Sequence, residues 1–216
     1  SDSTPMDIGS LPGYLRGIAE TIPLEDWVPG DCVVHNHPYK GASHSPDIAV
    51  VMPVFYKGEL VGFSANTAHH VDIGAATPGL IIDVPDMWAE GMLLDAVKLF
   101  EGGKRVESMW KYIHDNTRVP GLVMGDLEAQ IASAELGVRR FEELLDKYGK
   151  EDVIASCNQL MDYTEKLMRR EIAKIPDGEY FAEGFLDDDG RNRDKTLPIK
   201  VCVRITGDDV EVDLTG

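Results

Sequence analysis

The sequence has little basic charge, few cysteines and no long apolar run. Lys and Arg together number 21 against 38 Asp and Glu, a formal net charge of −17 over 216 residues. Binding to a phosphate backbone releases counterions only where Lys and Arg cluster, so nucleic acid is not an expected partner. The same deficit repels anionic membrane surfaces. No apolar stretch nears the roughly 20 residues that a membrane span requires. Cys32, Cys157 and Cys202 lie far apart and form no C-x-x-C pair. That argues against a disulfide framework and suits structural thiols in a reducing, cytoplasmic compartment. Residues 1–10 carry no basic segment followed by an apolar one, so no secretory leader is expected there. Neither G-x-x-x-x-G-K-[ST] nor G-x-G-x-x-G occurs, and Ser43 and Ser45 lack a G-x-S-x-G elbow. Phosphate-loop and serine-nucleophile chemistry therefore have no local signature.

What is present suits a globular chain: 43% hydrophobic and 27% charged residues, with length enough for one sizeable core. Residues 11–22 predict a helix, with Ser10 as N-cap and Pro12 in the first turn. Residues 31–36 predict a strand. Residues 48–56 and 60–68 are rich in β-branched and aromatic side chains and predict a hairpin around a three-residue turn, Lys57-Gly58-Glu59. The first of these strands is apolar on both faces, and Pro53 marks a bulge or an edge position. Residues 73–86 form a long connection punctuated by Gly and Pro. A helix is expected over 106–117. Leu127, Ile131, Ala134, Val138, Phe141, Leu145 and Tyr148 then make one helical stripe. The stripe resumes beyond Gly149 with Val153, Cys157, Leu160, Thr164, Leu167 and Glu171, which predicts an antiparallel αα-hairpin. Short strands at 180–185, 199–206 and 210–214 close the chain, and Asp187-Asp188-Asp189-Gly190 is read as a solvated turn. The expected class is α+β: a mixed sheet with a β-hairpin metal site, and a long αα-hairpin. The expected parts are a β-rich region over 1–125, the helical pair over 126–175 and a β part over 176–216.

Histidine placement carries the chemistry. Five of the six histidines, His35, His37, His44, His69 and His70, fall within 36 residues, together with Asp47 and Asp72. A three-residue turn at 57–59 makes paired positions sum to 116, which sets Asp47 opposite His69. Opposed side chains in a hairpin lie about 4.5–5.5 Å apart at Cβ. His44 sits three residues before Asp47, across the kink expected at Ser45-Pro46. His44, Asp47 and His69 can therefore meet at one end of the hairpin, unless a bulge at Pro53 shifts the register. Two histidines and a carboxylate suit a divalent cation with positions left open to water or substrate. His35 and His37 share a strand face and can either bind metal or hydrogen-bond the following loop.

These same residues carry a family resemblance. Asn36-His37-Pro38-Tyr39-Lys40-Gly41-Ala42-Ser43-His44-Ser45-Pro46-Asp47 resembles the N-D-P-Y-x-G-G-x-H-x-P-D motif of the hydantoinase B/oxoprolinase family. Ala65-Asn66-Thr67-Ala68-His69-His70-Val71-Asp72-Ile73-Gly74 resembles its A-N-x-x-H-H-x-D-I-G motif. Glu90-Gly91 with Val97-Lys98-Leu99, Asn116-Thr117-Arg118-Val119-Pro120 and Gly125-Asp126-Leu127-Glu128-Ala129-Gln130 resemble further family segments in the right order. The sequence departs from the family at His37, where Asp is usual, and at Ala42 and Ala75, where Gly is usual.

The resemblance implies a B-type component of an ATP-dependent multi-subunit enzyme. It implies a hetero-oligomer in which a hydantoinase A-type partner uses ATP, and a divalent metal, Mn or Zn, held here by His44, Asp47 and His69. Asp72 and His70 are the supporting or acid–base candidates. The reading placed first is a ketone carboxylase of the acetone or acetophenone type, joining activated substrate to activated bicarbonate. The alternative is a cyclic amidase of the hydantoinase, oxoprolinase or caprolactamase type. A third is a non-catalytic assembly module. The resemblance also implies that residues 1–216 are an interior piece of a larger subunit.

Overall fold

β-branched runs separated by glycine turns dominate the first hundred residues. In the computed structural model, which describes residues 5–79 and 84–215, they form an antiparallel sheet. Its strands are β1 (Cys32–His35), β2 (Asp47–Tyr56), β3 (Glu59–His69), β4 (Val97–Glu101) and β5 (Lys104–Arg105), in the order β3-β2-β1-β4-β5. The helices are α1 (Pro5–Ala19), α2 (Glu107–Asp115), α3 (Pro120–Tyr148) and α4 (Lys150–Ile172). The chain divides into two compact units, 1–147 and 148–216.

In the first unit the sheet is covered on both faces, which is why β2 is apolar from Ile48 to Phe55. Ile48, Val50 and Met52 point one way, into a core with Trp110 and Ile113 of α2 and Leu127, Ile131 and Ala134 of α3. Val51 points the other way and packs with Val33, Trp27 and Ile18 of α1. Burying each such side chain contributes about 1.5–3 kcal/mol, so the middle of β2 is anchored from both sides.

The hairpin differs from expectation in two ways that cancel. The turn has two residues, Lys57 and Gly58, and both have positive φ, 51° and 84°. That is the twist a type I′ hairpin needs. Tyr56 therefore pairs with Glu59 and Phe55 with Leu60. Val54 then pairs with Gly62, so one extra residue enters β3 and restores the expected register. Pro53 pairs regularly with Phe63, and Asp47 faces His69. The bulge lies beside Pro53 rather than on it.

Two other expectations change. The first helix runs over Pro5–Ala19, with Pro12 inside it and Ser10 away from its start. Buried Tyr14 and Ile18 supply tertiary contacts that outweigh the backbone bond Pro12 cannot make. The β4–β5 hairpin was not foreseen; it turns on Gly102 and Gly103, both with positive φ. Of the long connection expected over 73–86, residues 80–83 lie outside the described residues.

The second unit holds α4 and an antiparallel sheet of β6 (Gly178–Leu186), β7 (Leu197–Thr206) and β8 (Asp209–Asp213), in sequence order. Both sheets are antiparallel, and the class is α+β. Gly149, with φ of 84°, separates α3 from α4. The sequence stripe is buried along α3 at Leu127, Ile131, Ala134 and Leu145. Along α4 it is buried at Val153, whereas Leu160 and Leu167 are exposed. No helix among the described residues is long and apolar enough to cross a membrane.

Candidate metal centre

Asp47 opens β2 and His69 closes β3, so strand pairing brings them together at the open end of the hairpin. Paired residues share a face, here the face that also carries Ala49 and packs on Tyr14. His44 reaches the same point from the turn before β2, which closes through Asp47 N–H donating to the His44 carbonyl at 3.1 Å. His44 Nε2 lies 2.8 Å from Asp47 Oδ1 and His69 Nδ1 lies 3.0 Å from it. The two histidine nitrogens are 3.1 Å apart. Among the described residues, these three offer ligand atoms that all lie within 4.8 Å of one another. Asp47 is buried, while the His69 side chain is 46% exposed. The cluster is therefore open on the His69 side.

The donor set fits a divalent cation. At metal–ligand distances of about 2.1 Å, neighbouring ligands stand about 3.0 Å apart in an octahedron and about 3.4 Å apart in a tetrahedron. The three separations of 2.8, 3.0 and 3.1 Å are short enough for all three side chains to reach one cation.

The surrounding bonds fix the loop that carries His44. Asn36 Nδ2 donates to the Ser45 carbonyl at 2.6 Å and to the Met92 carbonyl at 2.9 Å, and Asn36 Oδ1 accepts from Leu94 N–H at 2.6 Å. Ser45 N–H donates to Glu90 Oε2 at 3.1 Å. Tyr14 OH donates to the Asp47 carbonyl at 3.0 Å. His70 N–H donates to the Pro46 carbonyl at 2.9 Å, joining the ends of β2 and β3.

His70 points to the opposite face and is buried there. Its protonation pattern follows from the bonds around it. Asn66 Nδ2 donates to the Gln130 backbone carbonyl at 2.8 Å, so Asn66 Oδ1 is free to accept. Gln130 Nε2 donates to that oxygen at 3.0 Å and to the Ile48 carbonyl at 2.9 Å. Gln130 Oε1 therefore faces His70 Nε2, 2.8 Å away, and His70 must carry its proton there. His70 Nδ1 keeps an unshared lone pair and has no hydrogen-bond partner among the described residues. Burial pushes the His70 pKa down, which holds it neutral.

Asp72 is buried and fully engaged. It accepts from Gly74 N–H at 2.9 Å, Thr117 Oγ1 at 3.2 Å, Arg118 N–H at 2.5 Å and Arg118 Nη1 at 2.9 Å. Burial alone would raise its pKa, but these donors and the Arg118 charge outweigh it and hold the carboxyl below its usual range. Arg118 Nη2 also donates to the carbonyls of Ala75 and Ala76. Asp72 thus ties the segment after His70 to the start of α3.

The structure keeps His35 and His37 out of the cluster. His35 is buried, accepts Ala96 N–H at Nδ1 and donates from Nε2 to the Lys40 carbonyl, each at 3.1 Å. Both of its nitrogens are occupied. His37 Nδ1 accepts Tyr39 N–H at 3.2 Å and caps the short turn over Pro38–Lys40. Sequence reasoning gave no role to Gln130, although a polar residue beside Leu127, Ile131 and Ala134 on a helix stripe is a signal of a buried hydrogen bond.

The sequence profile of hydantoinase B/oxoprolinase matches residues 1–216. The chain belongs to the hydantoinase B/oxoprolinase family. It is 49% identical over 225 residues to a protein of Pseudomonas sp. (strain NS671) named as the B component of a D-/L-hydantoinase, covering 100% of this chain and 38% of that one. The crystal structure of ATP-dependent caprolactamase from Pseudomonas jessenii superposes with a TM-score of 0.87 at 34% identity, covering 96% of this chain and 36% of that one. Nucleotide-free acetone carboxylase superposes with a TM-score of 0.83 over 97% of this chain and 29% of that one, at 19% identity, a likeness of fold alone. The chain therefore spans little more than a third of the length of the hydantoinase and caprolactamase proteins it matches.

Proposed function

We propose that this chain forms the metal-binding part of a B-type component in an ATP-dependent cyclic amidase, acting on a lactam or hydantoin. The observation that carries this is the 49% identity to the hydantoinase component over the whole chain. The caprolactamase likeness at 34% supports it. The carboxylase placed first on sequence has weaker likenesses behind it: 29% identity over 188 residues to the delta subunit of an acetophenone carboxylase of Aromatoleum aromaticum, and a likeness of fold at 19% identity to acetone carboxylase. The triad itself is compatible with either chemistry.

A bound divalent ion, Mn or Zn, would polarise the amide carbonyl or favour ionised water at neutral pH. His44, Asp47 and His69 would hold it. His70, neutral and with its proton fixed on Nε2, keeps the hairpin end in place from the opposite face and offers a lone pair at Nδ1. Asp72 and Arg118 fix the following loop. A hydantoinase A-type partner uses the ATP in the assembled hetero-oligomer.

The test is reconstitution of the complex with its partner subunit. ATP-dependent ring opening that needs no bicarbonate supports the amidase. ATP hydrolysis that requires both bicarbonate and a ketone replaces it with the carboxylase. His69→Ala should lower metal content to a small fraction of wild type and abolish turnover. Equal metal content in both proteins removes the site assignment, and full activity of a His44→Ala, Asp47→Ala double variant favours the assembly module.

A further inference from the structure

We propose that Ser43 decides which oxygen of Asp47 meets the metal, and so keeps that carboxylate a one-oxygen ligand. The inference rests on the metal site proposed above and concerns a residue outside the ligand set. Asp47 has two carboxylate oxygens. His44 Nε2 and His69 Nδ1 both lie against Oδ1, at 2.8 and 3.0 Å. The other, Oδ2, accepts the Ser43 hydroxyl. The two oxygens therefore have separate tasks. Oδ1 belongs to the triangle of ligand atoms, and Oδ2 is turned away from it and engaged by a donor.

The backbone makes this arrangement specific. Ala42, next to Ser43, is buried against Tyr14 and Ala49, and its N–H donates to the His37 carbonyl at 3.2 Å. Gly41 has φ of 120° and packs so close to α1 that an added Cβ would stand 2.3 Å from backbone atoms of Gly13 and Tyr14. These contacts place the backbone of 41–42 against α1 and set the Ser43 hydroxyl beside Asp47 Oδ2. Ser43 itself is exposed, and the hydroxyl can be removed without disturbing the core.

The chemical consequence concerns the cation. A carboxylate that binds through both oxygens fills two coordination positions; one that binds through a single oxygen fills one and leaves another for water or substrate. A donor on the outer oxygen also withdraws charge from the carboxylate and fixes its rotation. Supporting hydrogen bonds of this kind typically alter metal affinity about 10–100-fold. Ser43 is thus a positioning residue for the divalent ion.

The experiment uses the full chain, freed of metal with a chelator and titrated with Mn(II), with free ion read by EPR and Co(II) absorption as a second probe. Wild type should bind one ion. Ser43→Ala should bind about 10–100-fold more weakly and give a changed Co(II) spectrum, with an unchanged circular dichroism spectrum. Ser43→Thr, which keeps the hydroxyl, should restore both affinity and spectrum. If Ser43→Ala matches wild type in affinity and spectrum, the inference fails and the metal site stands. If wild type binds neither ion, the metal site fails and takes this inference with it.

Discussion

His35 is the residue whose surroundings were hardest to foresee. In sequence it stands two residues from His37 and nine from His44, in the densest run of histidines, and ligation was as open as structural bonding. The deciding partners are distant: Ala96 supplies an N–H 61 residues away. Burial holds the His35 pKa below its ordinary value; the neighbouring charges of His37 and Lys40 act in the same direction, and the Lys40 carbonyl and Asp95 act against it. An unfolded histidine titrates near pH 6.5. Between that pH and the lower folded value, the unfolded chain binds a proton that the folded chain does not, so stability rises with pH across this window. The urea midpoint should be level from pH 7 to 8 and fall as pH drops from about 6.5 towards 5. In His35→Gln the fall should be shallower, although the variant is less stable at pH 7. A wild-type midpoint that rises on acidification would contradict the assignment. Gln130 teaches the same lesson from the other side. The helix pattern showed its place, but its partners Asn66, His70 and the Ile48 carbonyl lie 60 or more residues away.

At the scale of elements, hydrophobic pattern placed the helices and six of the eight strands among the described residues, missing β4 and β5, and turn chemistry set the error in the first hairpin. The expected hairpin turn was one residue too long, and the residue it lacked in the strand sits in the bulge between Leu60 and Gly62. The metal-site pairing came out right because the buried middle of β2 admits one register: a slip by one residue would turn Ile48 and Val50 away from α3 and Val51 away from α1. The turn, by contrast, is exposed and its residues are chosen by backbone twist. Lys57 holds a left-handed conformation there, φ 51°, which costs an ordinary side chain about 1–2 kcal/mol relative to glycine and less for asparagine. Lys57→Asn should therefore stabilise the chain by about 0.5 kcal/mol, read as a higher denaturation midpoint with unchanged metal affinity. A lower midpoint would mean that Lys57 stabilises through its side chain, whose ammonium lies 5.0 Å from the Tyr56 ring centre. Along α4 the period is helical, yet Leu160 and Leu167 of the stripe are exposed, because periodicity reports a face and not what covers it.

For the whole molecule, composition was read correctly as acidic, and the structure adds how that acidity is shared. Of the 38 acidic and 21 basic residues, 22 and 11 lie in residues 1–147 and 16 and 10 in residues 148–216, net −11 and −6. Neither unit neutralises itself. Visible ion pairs such as Arg169 with Asp209 and Arg204 with Glu179 are exposed and contribute little each. Repulsion among unpaired carboxylates acts across distances comparable with the screening length, about 30 Å at 0.01 M salt and about 8 Å at 0.15 M. Compaction brings those charges together, so the folded state bears more of the repulsion than the unfolded one. Raising KCl from about 10 to 200 mM should therefore raise the thermal midpoint by a few degrees. A chelator must be present throughout, so that trace divalent ions at the proposed site of His44, Asp47 and His69 do not add their own stabilisation. Because both units carry the excess, the rise should persist in a chain whose carboxylates are neutralised in 148–216 alone, at reduced size. A midpoint that falls with salt would instead mean that ion pairs, not repulsion, dominate the electrostatics of the folded chain.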